Sequence, residues 1–200
     1  MMTVGHIVYK AEDLQAAVEK FRAQGFEVEY GRAKNPSNAL IYFSQGPYLE
    51  IRTGVTMPAL IRRYLRLIGH GQMVDTSDAV AGMPEGRVVF EVDREGFGRL
   101  KAICQERGVR TVTARIARKD PHGRRLACRC LCPDDWAIPM FVTRFAADTH
   151  RDAPHPNGIT RMDRIEFEGT RTAVEICRLA GADDLLACSV GAGAIRAEFV

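Results

Sequence analysis

No apolar run in this 200-residue sequence is long enough to cross a bilayer, and charged and polar residues arrive too early for an amino-terminal secretory signal. A soluble, cytoplasmic protein with no membrane partner is therefore expected. Net charge is small, at +3. Arginines gather at Arg62, Arg63 and Arg66 and again from Arg110 to Arg129, yet few aromatic side chains stand among them. A stacking surface for nucleic acid needs that interleaving, so no nucleic-acid partner is expected and the arginines read as solvated faces. One or two of them remain available to an anionic small molecule.

Paired two-residue cysteine gaps are missing as well, which argues against a zinc module. The six cysteines, at 104, 128, 130, 132, 177 and 188, also do not suit a disulfide framework in a cytosolic chain of this length. Cys128, Cys130 and Cys132 alternate along a predicted strand. They read as small buried residues on one face rather than as a soft-metal site. Gly191-Ala192-Gly193 lacks the lysine and following helix of a phosphate loop and reads as a bend before a terminal strand, Ala194 to Phe199.

What is present is 46% hydrophobic content, enough for one sizeable core or two small units sharing a sheet. The stretch from Gly5 to Ile51 organises the rest. Gly5-His6-Ile7-Val8-Tyr9 has the composition of a strand, and Leu14, Val18 and Phe21 give the following helix, Glu12 to Gln24, one apolar face that ends at Gly25. Extended runs follow at Phe26–Tyr30, Ala39–Phe43 and Tyr48–Arg52. Strand alternation puts Ile7 and Tyr9 on one side with Leu49 and Ile51, which leaves His6 and Glu50 to share the other.

The pattern repeats. Gly86-Arg87-Val88-Val89-Phe90 and Asp163-Arg164-Ile165-Glu166-Phe167 echo the first strand, and each is followed by a helix stopped by glycine, at Gly108 and Gly181. The second unit continues with runs at Thr111–Ala117, Arg125–Leu131 and Ile138–Phe145, whereas the third is too short for a core of its own. This predicts an α+β protein: residues 1–53 as a first βαβββ unit, 54–85 as a linker with one short helix near Pro58–Ile68, 86–147 as a second unit, and 148–200 as a partial third repeat. The linker is long enough for a lid or a helix packed over an open cavity. His70, between two glycines, and His122, in the turn Lys119-Asp120-Pro121-His122-Gly123, read as loop residues without chemistry.

Paired units with His in the first strand and Glu in the fourth resemble the vicinal oxygen chelate superfamily, and more narrowly its glyoxalase-like domain proteins. The matching stretches are Gly5–Tyr9 with Glu12-Asp13-Leu14, then Asn38–Phe43, Tyr48–Ile51 and Pro154–Gly158. The resemblance implies a curled mixed sheet of paired units around a cavity, a small oxygenated metabolite as ligand, and a divalent metal of unspecified identity on inward side chains of the first and fourth strands. Carried over, His6 and Glu50 are the metal ligands, with Glu50 also a catalytic base, and Asn38, Tyr42, Arg87 and Phe141 line the substrate. A lyase, isomerase or dioxygenase reaction and a homodimer are implied as options, beside a monomeric cavity.

The second unit departs from the pattern, because Arg87 stands where His6 would and Phe141 is read where the second carboxylate would be. A guanidinium cannot ligate a metal. Glu91 and His155 are candidates to compensate. The other reading is that Arg87 replaces the metal, pairing with Glu50 or holding an anion in a non-catalytic binding protein where Tyr9 or Tyr42, Trp136 and Phe141 supply the burial.

Overall fold

The computed structural model describes residues 2–53, 57–80, 86–119, 123–145, 154–181 and 184–200, with the side chains of 77–80 and 118 excepted. His122 lies outside the described residues.

Each unit forms from signals local to it. Strand β1 (Met2–Ala11) leads into helix α1 (Leu14–Ala23), whose first turn is capped by the Asp13 carboxylate accepting from the Ala16 N–H at 2.8 Å. Gly25 closes the helix at a φ of 81°, a conformation that other residues adopt only with strain. Strands β2 (Glu29–Tyr30), β3 (Asn38–Ile41) and β4 (Tyr48–Thr53) complete the unit. Helices α2 (Ala59–Leu67) and α3 (Gly71–Val80) then form a hairpin. The second of these was not predicted.

The second unit repeats the order: β5 (Arg87–Val92), α4 (Arg94–Glu106), β6 (Thr111–Lys119), β7 (Arg125–Pro133) and β8 (Met140–Thr143). Asp93 caps α4 through the Gly96 N–H. The last part is β9 (Met162–Gly169), α5 (Arg171–Ala180), β10 (Leu186–Val190) and β11 (Ala194–Phe199), with Thr170 capping α5 and Gly181 ending it at a φ of 73°.

The two units make one curled, unclosed sheet in the order β2-β3-β4-β1-β5-β8-β7-β6, and the last part adds a three-stranded sheet, β10-β9-β11. In each large unit the first strand runs parallel to the fourth, β1 with β4 and β5 with β8, and the two first strands meet antiparallel at the centre. Helices α1 and α4 cover the outer face, and α5 packs on the small sheet and against α4. The core there runs from Ile7, Leu49 and Ile51 through Val88, Phe90 and Phe141 to Ile165, Phe167 and Ile176, so the third part shares the core of the other two. On the inner face Val89, Cys128, Cys130 and Val142 make a smaller cluster, with the Cys128 and Cys130 sulfurs 3.8 Å apart. As expected, these cysteines are small buried residues.

The register of the central strands is broken between Val4 and His6 by a bulge at Gly5. Val4 and Ile7 therefore both reach the outer core, and His6 is turned inward. A Cβ at Gly5 would stand 2.5 Å from the Glu91 Cγ, so any larger residue there would displace the Glu91 side chain.

Candidate functional site

On the inner face, β1 sits between β4 and β5, and strand pairing fixes which side chains are neighbours. Val8 pairs with Glu50 on one side and with Arg87 on the other, while His6 pairs with Tyr48 and with Val89. Glu50 and Arg87 thus flank Val8, about 10 Å apart at the backbone from two strand spacings.

The His6 side is built tightly. His6 Nε2 lies 3.4 Å from Glu50 Oε2, and the ring stacks on Tyr48 with centroids 4.5 Å apart and an interplanar angle of 15°. The Asn38 amide donates to Glu50 Oε1 at 2.8 Å, and Arg52 Nη1 lies 3.8 Å from the same oxygen. Tyr42 leans on Tyr48 at 5.3 Å. Burial alone would raise the Glu50 carboxyl, but the hydrogen bond and charge of His6, the charge of Arg52 and the Asn38 amide together hold it down to about 2. An ionised Glu50 only accepts, so the imidazole nitrogen facing it carries a hydrogen. The other His6 nitrogen, Nδ1, and the Nε of Arg52 are buried with no hydrogen-bond partner among the described residues.

The Arg87 side is different. Its Nε and Nη2 both donate to the Ile138 carbonyl, at 3.1 and 2.8 Å, and the guanidinium lies 4.5 Å over the Trp136 ring. Among the described residues no carboxylate comes within ion-pair distance of it. Burial pushes the guanidinium down to about 10, opposed by Cys132 and Asp135. Burial likewise pushes the Glu91 carboxyl up, with His6 and Arg144 opposing it.

His6, Glu50, Asn38 and Tyr42 are therefore together, with Arg87 across Val8, but other expected positions are corrected. Phe141 is fully buried in the outer core, stacked on Phe90 at 5.7 Å, and cannot line this face. Val89, the counterpart of Val8, pairs with Met140, so Met140 stands where Glu50 stands in the first unit. Tyr9 faces outward against Phe21. His155 also lies on the outer side, edge-on to Phe26 and Phe43, with its Nδ1 accepting the Glu27 N–H at 2.9 Å. It reaches no inner-face ligand. Arg87 does not pair with Glu50 either.

Two contributors carried weaker sequence signals. Tyr48 shares the alternation of Glu50 and was open to discovery on that ground. His70 was not: its Nδ1 meets the Asp134 carboxylate at 2.6 Å, and the Thr76 hydroxyl bridges the Asp134 carbonyl and the Trp136 N–H. The α2–α3 hairpin thereby pins the loop that supplies Trp136 and Ile138 to Arg87. His70→Ala leaves the buried Asp134 without its partner and should lower stability by about 2 kcal/mol. Amide exchange at Trp136–Ile138 should quicken with it, and unchanged exchange there would refute the pinning.

The inner-face donors do not fit the metal that such a fold often carries. Of the four equivalent positions, His6 is a borderline donor and Glu50 a hard one, Arg87 is a cation and Met140 a thioether, and Arg52 lies 3.8 Å from the Glu50 carboxylate. Among the described residues, no three His, Cys, Asp or Glu side chains are gathered as ligands.

A pair of βαβββ units meeting along their first strands, with inward residues on first and fourth strands facing a shared cavity, is the fold of the vicinal oxygen chelate superfamily. The glyoxalase-like domain profile matches residues 4–180, and the chain belongs to that family. No curated protein matches it. Among solved structures, a hypothetical protein from Staphylococcus aureus is 11% identical with a TM-score of 0.62, over 96% of this chain and 88% of that one, and shows the same fold. The Mn(II)-bound glyoxalase from Novosphingobium aromaticivorans is 13% identical with a TM-score of 0.49, over 96% of this chain and 62% of its own. A catechol 2,3-dioxygenase is 11% identical with a TM-score of 0.49, over 90% and 55%. The chain thus spans less than two thirds of either enzyme.

Proposed function

We propose that this protein binds a small oxygenated anion on the inner face, between Arg87 and the His6–Glu50 pair, without a metal. The observation that carries the reading is the Arg87 guanidinium, buried against Trp136 with no carboxylate within ion-pair distance among the described residues. A buried cation is costly unless an anion meets it; Nε and Nη2 each spend a hydrogen on the Ile138 carbonyl, which leaves the Nη1 edge of the guanidinium to meet a carboxylate or enolate. The partnerless Nδ1 of His6 and Nε of Arg52 favour a ligand with further oxygens on the same side. In this reading Asn38, Tyr42 and Glu50 orient the ligand, and Glu50 is placed to take or return a proton.

Trp136 is the single tryptophan of the chain, so its fluorescence reports directly on Arg87. Titration of α-hydroxy and α-keto carboxylates, in the presence of a chelator, should give a saturable change in emission. Absence of any response would remove the proposal. A response seen only when Mg²⁺ or Mn²⁺ replaces the chelator would overturn its metal-free part and return the site to His6 and Glu50 as ligands.

A further inference from the structure

Helix α5 and strand β10 bring two thiols into contact in the last part of the chain. Along β10, Leu186 is buried and Cys188 half-buried while Ala187 and Ser189 are exposed, so alternation turns Leu186 and Cys188 towards the helix. On α5, Ala173, Ile176 and Cys177 are buried, and the helix packs on the small sheet. Cys177 lies within the outer core and Cys188 packs against it. Both cysteines are free, and the Cys177 thiol donates a hydrogen bond to the Cys188 sulfur. That hydrogen bond, with the charge of Arg178, pulls the Cys188 thiol below its usual range. Cys104 and Cys132 move the other way, pushed up by burial.

We propose that Cys188 and Cys177 form a hydroperoxide-reactive pair that closes a reversible disulfide between β10 and α5. Access assigns the roles. Cys188 is half-buried and meets the oxidant, whereas Cys177 is fully buried and is reached only through Cys188. In the first step the Cys188 sulfur attacks one peroxide oxygen, the O–O bond breaks, and Cys188 becomes a sulfenic acid while the other oxygen leaves as an alcohol or water. In the second the Cys177 sulfur displaces the sulfenic hydroxyl, which takes the Cys177 proton and leaves as water. The two thiols have then given up two electrons, and the hydroperoxide has gained them. Cys128 and Cys130 are poorer candidates although their sulfurs lie 3.8 Å apart, because both are buried. Two residues apart on one strand, their Cα atoms are separated by about 6.7 Å, at the far limit of disulfide geometry. Paired sulfurs can also hold a metal, but among the described residues no third ligand is gathered beside them.

Treating the full chain with hydrogen peroxide and counting thiols in denaturant tests this. Two of the six thiols should disappear and return with dithiothreitol. In an unreduced digest the tryptic peptides 172–178 and 179–196 should appear joined and lighter by two hydrogens. Cys177→Ser should stop at the sulfenic acid, captured on Cys188 by dimedone, and Cys188→Ser should consume peroxide at least about tenfold more slowly than the wild type. The wild-type count and peptide map stand whether or not either variant folds. Six thiols surviving the peroxide overturn the proposal. So does a disulfide that joins a different pair, such as Cys128 with Cys130, or a Cys188→Ser protein that folds and consumes peroxide at the wild-type rate.

Discussion

Arg87→Met should lose affinity for small oxyanions by about a hundredfold without a matching loss of stability. In the proposed reading the guanidinium serves a ligand rather than the fold, so the two effects separate. Removing a buried cation that has no carboxylate partner relieves its desolvation, and methionine fills much of the same volume against Trp136. What is lost is the pair of hydrogen bonds to the Ile138 carbonyl, roughly 3 kcal/mol, which the relieved desolvation offsets, so the melting temperature should move little. Arg87→Lys keeps the charge but not the fork, and should fall between the wild type and Arg87→Met. Fluorescence titration beside thermal melts gives both quantities in one set of samples. A methionine variant that binds like the wild type would place the anion elsewhere.

The pairing of the units, and the face shared by His6 and Glu50, could be read from the sequence because they rest on short-range signals. Asp13, Asp93 and Thr170 start helices, and Gly25, Gly108 and Gly181 stop them with left-handed backbone, all within one turn of the residues they govern. Alternation along β4 is clean, with Leu49 and Ile51 buried against the helices and Glu50 between them. In β8 it is not: Met140-Phe141-Val142 is apolar on both faces, so nothing in the sequence fixes its phase. The choice of Met140 over Phe141 depends on pairing with β5, fifty residues away in the chain, and is visible only once the sheet is assembled. Helix α3 was missed because Gly71, Thr76, Ser77 and Asp78 are weak helix formers, and its docking on Asp134 supplies what propensity does not. His155 shows the converse error. A histidine beside a unit boundary is a candidate ligand from the sequence, yet it is held among phenylalanines, where burial lowers its proton affinity.

Glu50→Gln should cost stability on the order of 3 kcal/mol at neutral pH and almost nothing at pH 2. The folded carboxyl sits at about 2, against an ordinary value of 4.5. Because the folded value is the lower, the unfolded chain binds the proton more tightly. The stabilisation is therefore complete above about pH 4.5 and is lost as pH falls towards 2. Glutamine keeps the shape of the side chain but gives up the charge that His6 and Arg52 face, so the variant lacks this contribution at every pH. Acid-sensitive groups away from this cluster act equally in both proteins, so the difference between their urea midpoints, followed from pH 7 to pH 2, reports on Glu50 together with its partner His6. A difference that closes across that window identifies Glu50 as an ionised carboxylate held by its neighbours before any ligand arrives. A difference that stays flat would mean that Glu50 does not carry that charge in the folded protein, and it would remove the partner against which the His6 ring is oriented.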